Sequence, residues 1–326
     1  MAYQEALRLY GGVTKEMEWF ISANGRPPSR ENTPGWYFEP GGPYYVPKSQ
    51  FKSDLLDVLS SFAMPTAPPT VNLRLSKFNM AMIPDDCVVL CIGRRGTGKS
   101  SLIKDLLWHK QRFPIGTVVN GNEGATPFYS SFLPSLFIHE EFNPTIIKNL
   151  LERQDEIATR IKGATESGVT SIIDRRAFIC LDDCFYDNKW ISDKYARSLF
   201  MNGRHYGLLS ILAIQYPMDI LPVLCDQVDY VFIFNEVRVS ARRRIYEQFA
   251  NIFPTFELFC QIMDQCTKDY ECLVIHNGSK TNRIDDCVFW YKATPRSDFK
   301  IGSREHWLRS AEFERIREEG VINCLE

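Results

Sequence analysis

Blocks of apolar and polar positions alternate along this chain with the periods of strands and helices. Cys87–Ile92 is an unbroken apolar run that reads as a buried strand, and Ser101–Trp108 continues it with helical spacing. Ile115–Val119 predicts a second strand and Leu136–His139 a short one. Asn143–Ile161 repeats its apolar positions as a long amphipathic helix. Ala177–Leu181, Leu208–Ile214 and Val228–Phe234 are further apolar runs of strand length, with a helix over Asp193–Gly203 between the first two. A helix is predicted from about Val237, a closing hairpin from Cys272–His276 and Asp286–Tyr291, and a charged helix over Glu305–Glu319. Strands that are apolar on both faces and alternate with helices predict a mainly parallel sheet covered on both sides.

The first 80 residues follow no such order. Met1–Ala23 has room for a short amphipathic helix, and Asn24–Pro47 is a proline-, glycine- and aromatic-rich stretch that reads as an irregular arm. Ser49–Phe62 has helical spacing and Ala63–Thr70 is a proline-rich break. Leu73–Ile83 is placed to supply an edge strand. The division expected is an N-terminal arm over residues 1–80 and one α/β domain over 81–326, the arm serving packing or partner binding.

What the strands carry at their ends changes the picture most. The run Val88–Ile92 opens into Gly93-Arg94-Arg95-Gly96-Thr97-Gly98-Lys99-Ser100-Ser101, which matches the glycine-rich phosphate-binding turn G-x-x-x-x-G-K-[ST] between a strand and a helix. Glycines there let successive N–H groups converge on an anion, and the following helix aims its positive end at the same point. Lys99 then reaches the β- and γ-phosphates of ATP, and Ser100 holds Mg²⁺. The run Ala177–Leu181 ends in Asp182-Asp183. A buried strand ending in two acids downstream of such a turn supplies a metal-site carboxylate, Asp182, and a base for the attacking water, Asp183. Gln215 follows Leu208–Ile214, where an amide can sense the γ-phosphate. The polar cluster Asn120–Gly124 either faces the nucleotide or is an ordinary strand-to-loop turn. Arg242, Arg243 and Arg244 open a helix, as a solvated face or as an arginine finger acting on a neighbouring subunit.

Charge and composition limit the partners. A net charge of −2 gives no global basic field, so any DNA contact must come from a local patch or from several subunits sharing a channel. The ten cysteines include no C-x-x-C pair, and they read as reduced thiols inside apolar runs. No run approaches the ~18 apolar residues of a membrane span, and the first residues lack a signal-peptide core, so no stable membrane insertion is expected.

The segments Gly93–Ser100, Phe178–Cys184, Leu199–Pro217 and Ile245–Ile275 together resemble the genome-packaging ATPases of large nucleocytoplasmic DNA viruses, a branch of the FtsK–HerA superfamily of DNA pumps. The resemblance spans Cys87 to Tyr291 and leaves residues 1–80 outside. It implies the additional-strand class of P-loop NTPase and a homo-oligomeric ring that drives double-stranded DNA into a preformed capsid. It also implies capsid or portal-region partners, and work in the host cytoplasm or on the virion. Lys99, Asp182, Asp183 and Gln215 take the Walker A lysine, metal-site acid, catalytic acid and sensor positions. The trans arginine falls among Arg242, Arg243 and Arg244. Asp183 departs from the glutamate usual in FtsK-type motors. A nucleotide-switched scaffold and a helicase-like remodeller are the alternatives.

Overall fold

The structure is a computed structural model that describes residues 75–184, 190, 193–216, 222–281 and 283–318, with Lys15, Met17, Glu18, Ile21 and Tyr37 near the N-terminus. The chain divides into two compact units, Met1–Asn72 and Leu73–Glu326. In the first unit Lys15, Met17, Glu18 and Ile21 are helical. The helix expected over Ser49–Phe62, the proline-rich break after it, and all of Asn24–Pro47 except Tyr37 lie outside the described residues.

Among the described residues the second unit has nine strands: β1 (Ser76–Lys77), β2 (Val88–Ile92), β3 (Ile115–Asn120), β4 (Ile138–His139), β5 (Ala177–Asp182), β6 (Leu208–Ile214), β7 (Tyr230–Ile233), β8 (Glu271–His276) and β9 (Val288–Lys292). They form one sheet in the order β1-β9-β8-β7-β2-β6-β5-β3-β4. From β7 to β4 every pairing is parallel, while β8 runs antiparallel to both β7 and β9. β6 lies between β2 and β5, which is the additional strand of this class of P-loop fold.

The sheet is apolar on both faces because each central strand divides its side chains between two cores. Val88, Leu90 and Ile92 of β2 join Leu208, Leu212 and Ile214 of β6 on one face. That face is covered by α2 (Pro144–Glu166), α3 (Lys194–Asn202), α5 (Val239–Phe249) and α6 (Phe256–Cys266), which contribute Leu150, Leu199, Ile245 and Phe259. Val89, Cys91, Leu209 and Ile211 face the other way, against Leu102, Ile103, Leu106 and Leu107 of α1 (Lys99–His109) and a group of aromatics including Phe113, Tyr129 and Phe132. The described cysteines are free thiols, most of them buried. Among the described residues no helix is long and apolar enough to cross a membrane.

Side chains that favour caps set the helix starts. Asn143 accepts from the Thr145 N–H at the head of α2, Asp193 from the N–H groups of Tyr195 and Ala196 at α3, and Thr255 from that of Leu258 at α6. The short α4 (Pro222–Cys225) precedes β7, and α8 (Arg304–Glu318) closes the described chain. The expected hairpin differs in one place. Ile284–Cys287 form a helical turn, α7, so β9 starts at Val288 and not at Asp286. With Asp285 and Asp286 in its first turn, the segment places acidic side chains where the helix dipole favours them. The expected edge strand is β1, paired with β9 through Ser76 and Lys77.

Candidate nucleotide site

The parallel strands end level with one another. Ile92 pairs with Ile214, Asp182 with Ala213, and Asn120 with Asp182, so the segments following β2, β3, β5 and β6 converge at one edge. Ligands of open α/β sheets bind at that edge.

The turn from Gly93 to Gly98 has the backbone that its glycines permit. Gly96 and Gly98 lie at φ +78° and +105°. A Cβ on Gly93 would stand 2.6 Å from Phe234 Cβ and 2.8 Å from Thr97 Oγ1, so only glycine fits there. The Thr97 hydroxyl donates to the Arg94 carbonyl at 2.8 Å and closes the loop. Gly98 is the N-cap of α1 and supplies no side-chain cap, which leaves the first-turn N–H groups facing an anion position. Lys99 is buried, with Nζ donating to the carbonyls of Gly93 at 2.6 Å and Arg94 at 3.1 Å. Burial holds its pKa below the usual lysine value, and Asp182 and Asp183 pull the other way. Arg94, Arg95 and Ser101 are exposed on the loop and the first turn.

Across from the loop, the Ser100 hydroxyl donates to Asp182 Oδ2 at 3.0 Å. Asp182 also accepts from the Tyr129 hydroxyl at 2.7 Å. Burial raises the pKa of this carboxyl, and the Tyr129 and Ser100 hydrogen bonds and the Lys99 charge oppose the rise. Ser100 and Asp182 together present hard oxygen donors of the kind Mg²⁺ takes when substrate phosphates complete its shell. Among the described residues there is no cluster of three His, Cys, Asp or Glu side chains for a metal, and such a shared site needs none.

Asp183 sits past the strand end at φ +49°, a left-handed backbone unusual for an aspartate. Both of its oxygens are engaged: Gln215 Nε2 donates to Oδ1 at 2.5 Å and Asn122 Nδ2 to Oδ2 at 2.6 Å. The cluster Asn120–Gly124 therefore belongs to the site. Asn120 donates to Glu123 Oε2 at 2.9 Å, and Glu123 Oε1 accepts the N–H groups of Phe128 and Ser130, each at 2.9 Å. Burial alone would raise the Glu123 pKa, yet these hydrogen bonds hold it low. The anchored carboxylate fixes the turn that presents Tyr129 to Asp182.

Lys99, Ser100, Asn122, Tyr129, Asp182, Asp183 and Gln215 line a cavity of about 800 Å³, within the range of small-molecule sites. Tyr270 and Lys292 to Arg296, to which the sequence alone gives no role, line it as well. Arg242, Arg243 and Arg244 lie on α5, and none of them lines it. Arg242 is committed within the fold, donating to the Glu236 carbonyl at 2.5 Å and to Asp264 Oδ1 at 2.6 Å. The Arg243 guanidinium lies 3.8 Å from the centroid of the Phe256 ring. Arg243 and Arg244 are exposed.

The structure brings the P-loop, Ser100, Asp182, Asp183 and Gln215 together around one cavity, and leaves Arg242, Arg243 and Arg244 outside it. Tyr129, Asn122 and Glu123 were missed as individual site residues. For Asn122 and Glu123 the available signal was a polar cluster at the end of a strand. Tyr129 had none, since the tyrosine of an aromatic-rich loop reads as core.

No family model matches the chain. Protein 088R of Invertebrate iridescent virus 3 is 37% identical over 223 residues, covering 67% of this chain and 81% of that protein. Protein L437 of Acanthamoeba polyphaga mimivirus is 33% identical over 233 residues, covering 71% and 81%. Among solved structures, the genome packaging NTPase B204 from Sulfolobus turreted icosahedral virus 2 in complex with AMP is similar at 19% identity and a TM-score of 0.46. That match covers 65% of this chain and 100% of B204, a likeness too remote to assign function. On its sequence relatives, this α/β chain with the additional-strand P-loop NTPase fold belongs to the family of large-DNA-virus proteins that includes 088R and L437.

Proposed function

We propose that the chain is an ATP-hydrolysing motor that drives viral double-stranded DNA into a preformed capsid. The observation that carries the hydrolase reading is Asp183. Gln215 and Asn122 hold its carboxylate beside the Ser100–Asp182 pair and the phosphate-binding turn. A carboxylate oriented by two amides at the γ-phosphate end of such a turn is placed to take a proton from an attacking water. Mg²⁺, held by Ser100 and Asp182, would supply charge neutralisation on the phosphates. Lys99 leaves its loop carbonyls to meet the β- and γ-phosphates, and the turn's N–H groups hold the chain in line.

The packaging part of the proposal rests on the segment resemblance and on relatives in large DNA viruses. A chain with net charge −2 is a poor lone DNA binder, which favours a homo-oligomeric ring whose subunits share one channel. With no arginine from α5 in its own cavity, the chain leaves room for Arg243 or Arg244 to complete a neighbour's site. Partners at the capsid or portal and action in the host cytoplasm belong to the same proposal. ATPase turnover with and without double-stranded DNA, alongside native mass measurement, tests it. Turnover that rises with DNA in an oligomer supports the motor. DNA-independent, slow turnover favours a nucleotide-switched scaffold, and separation of paired strands favours a helicase-like remodeller.

A further inference from the structure

Because β8 runs against its neighbours, it begins at the edge where the parallel strands end. Its first residue, Glu271, pairs with Lys292, the last residue of β9. The turn before β8 and the segment after β9 therefore meet beside the P-loop. Tyr270 occupies that turn at φ +66°, directly after Asp269 at φ +49°. A bulky side chain on left-handed backbone is strained, and residues held this way gather at ligand sites. The Tyr270 side chain is also 67% exposed, so burial in the core does not compensate the strain. Its ring borders the start of α1: a Cβ on Gly98 would lie 3.5 Å from Tyr270 Cδ1.

The segment after β9 is fixed with unusual care. Asp105, fully buried on α1, accepts from the Thr294 N–H at 2.7 Å, the Tyr291 hydroxyl at 2.7 Å and Arg296 Nε at 2.6 Å. The Arg296 guanidinium also lies 3.9 Å from the centroid of the Trp108 ring. Residues 292–296 are thereby strapped to the P-loop helix and line the same cavity as Lys99 and Ser100. Among the described residues that line it, Asp182 and Asp183 are the acids. Tyr270 and the strap thus add an exposed aromatic face, a fixed backbone segment and the Lys292 and Arg296 side chains beside the N–H groups of the loop.

We infer that Tyr270 and the strap 292–296 form the base subsite of the nucleotide, and that the base is a purine stacked on the Tyr270 ring. This rests on the reading of the Gly93–Ser100 turn as a triphosphate site. Stacking suits an exposed ring, and the larger π-face of a purine gains more from it than a pyrimidine does.

Calorimetric titration of the full chain with ATP, CTP and inorganic tripolyphosphate tests the assignment. The parent chain should bind ATP more tightly than CTP. Tyr270→Ala should weaken ATP binding about 5- to 150-fold, the range of one lost base–aromatic stack, and leave tripolyphosphate binding unchanged. Tyr270→Phe should keep the parent affinity. Tyr270→Gly separates stacking from structure: glycine accepts φ +66° without strain, so this variant should be no less heat-stable than the parent and still lose ATP affinity. If Tyr270→Gly and Tyr270→Ala bind ATP like the parent, or lose tripolyphosphate equally, the base subsite is wrong and the triphosphate reading stands. A parent chain that binds neither ATP nor tripolyphosphate overturns both.

Discussion

Tyr129→Phe removes one oxygen atom from the least exposed part of the site. The ring is fully buried and packs against Phe128 and Phe132 at centroid distances of 5.1 and 5.8 Å, contacts that phenylalanine keeps. What goes is the 2.7 Å hydrogen bond to Asp182 Oδ2, with the weak 3.8 Å contact between the hydroxyl and Cys180 Sγ. Hydrogen bonds to charged groups contribute about 1.5–3 kcal/mol. Asp182 keeps its bond from Ser100, so the lower part of that range applies, about 1.5–2 kcal/mol. For a domain of this size that is a fall in Tm of about 3–8 °C. The bond favours the charged carboxylate, so its contribution is present above the Asp182 pKa and fades as the pH falls through it. Burial has already raised that pKa, and losing the bond raises it further. The acid limb of Mg²⁺-dependent turnover should therefore move to higher pH, and the Tm deficit should shrink in acid. Thermal melts at neutral and acid pH, with a pH profile of kcat/KM at saturating Mg²⁺, read both effects. A variant with the parent acid limb and a pH-independent Tm deficit would refute the argument, since Tyr129 would then be packing alone.

The other groups of the site make separable predictions. Lys99→Ala should abolish turnover and weaken ATP binding, read by phosphate release and calorimetry, and parent-like turnover would sink the P-loop reading. Asp183→Asn should leave ATP and Mg²⁺ bound while turnover falls about 10²–10⁴-fold, the usual loss for a general base. Asp182→Asn should instead raise the Mg²⁺ requirement, and identical Mg²⁺ dependence in the two variants would mean that this assignment of the two roles is wrong. An Arg243/Arg244 double alanine chain should hold ATP without hydrolysing it and regain turnover when mixed with Asp183→Asn subunits, because one interface in a mixed ring then pairs an intact arginine with an intact Asp183. Mixtures that stay inactive at every ratio would remove these arginines from catalysis.

Strands were legible wherever the chain is apolar on both faces. β2, β5 and β6 fall within a residue of the runs that announce them, because a doubly buried strand is apolar along nearly its whole length, Ser210 in β6 and the terminal Asp182 of β5 being the exceptions. β9 was misplaced by two residues, since Asp286 and Cys287 continue the run toward Val288 while Ile284–Cys287 close a helical turn. Periodicity does not distinguish a short apolar turn from the start of a strand. The helix α6 was not read as an element, although Thr255 caps it and its apolar face fills the core with Phe259, Ile262 and Met263. Its buried positions Phe256, Phe259, Ile262 and Met263 recur at helical spacing opposite exposed Glu257, Asp264 and Gln265, so the pattern of an amphipathic helix is present in the sequence.

For the site, the division follows sequence separation. Lys99 and Ser100 lie within a local turn, and Asp182, Asp183 and Gln215 stand at strand ends that hydrophobicity alone locates. Asp105 shows what that rule cannot reach. In the run Lys104-Asp105-Leu106-Leu107 it looks like the polar face of a helix, yet it is fully buried. Its partners arrive from Tyr291, Thr294 and Arg296, the first of them 186 residues away. A buried carboxylate without donors costs several kcal/mol, so the burial of Asp105 and the path of the strap require each other. That mutual requirement exists only once β9 has been laid two strands beyond β7. Tyr129 depends in the same way on Glu123 to fix its turn and on β5 to bring Asp182 beneath its hydroxyl. The chemistry of such residues lies in the sheet order, which brings them together only after the strands have paired.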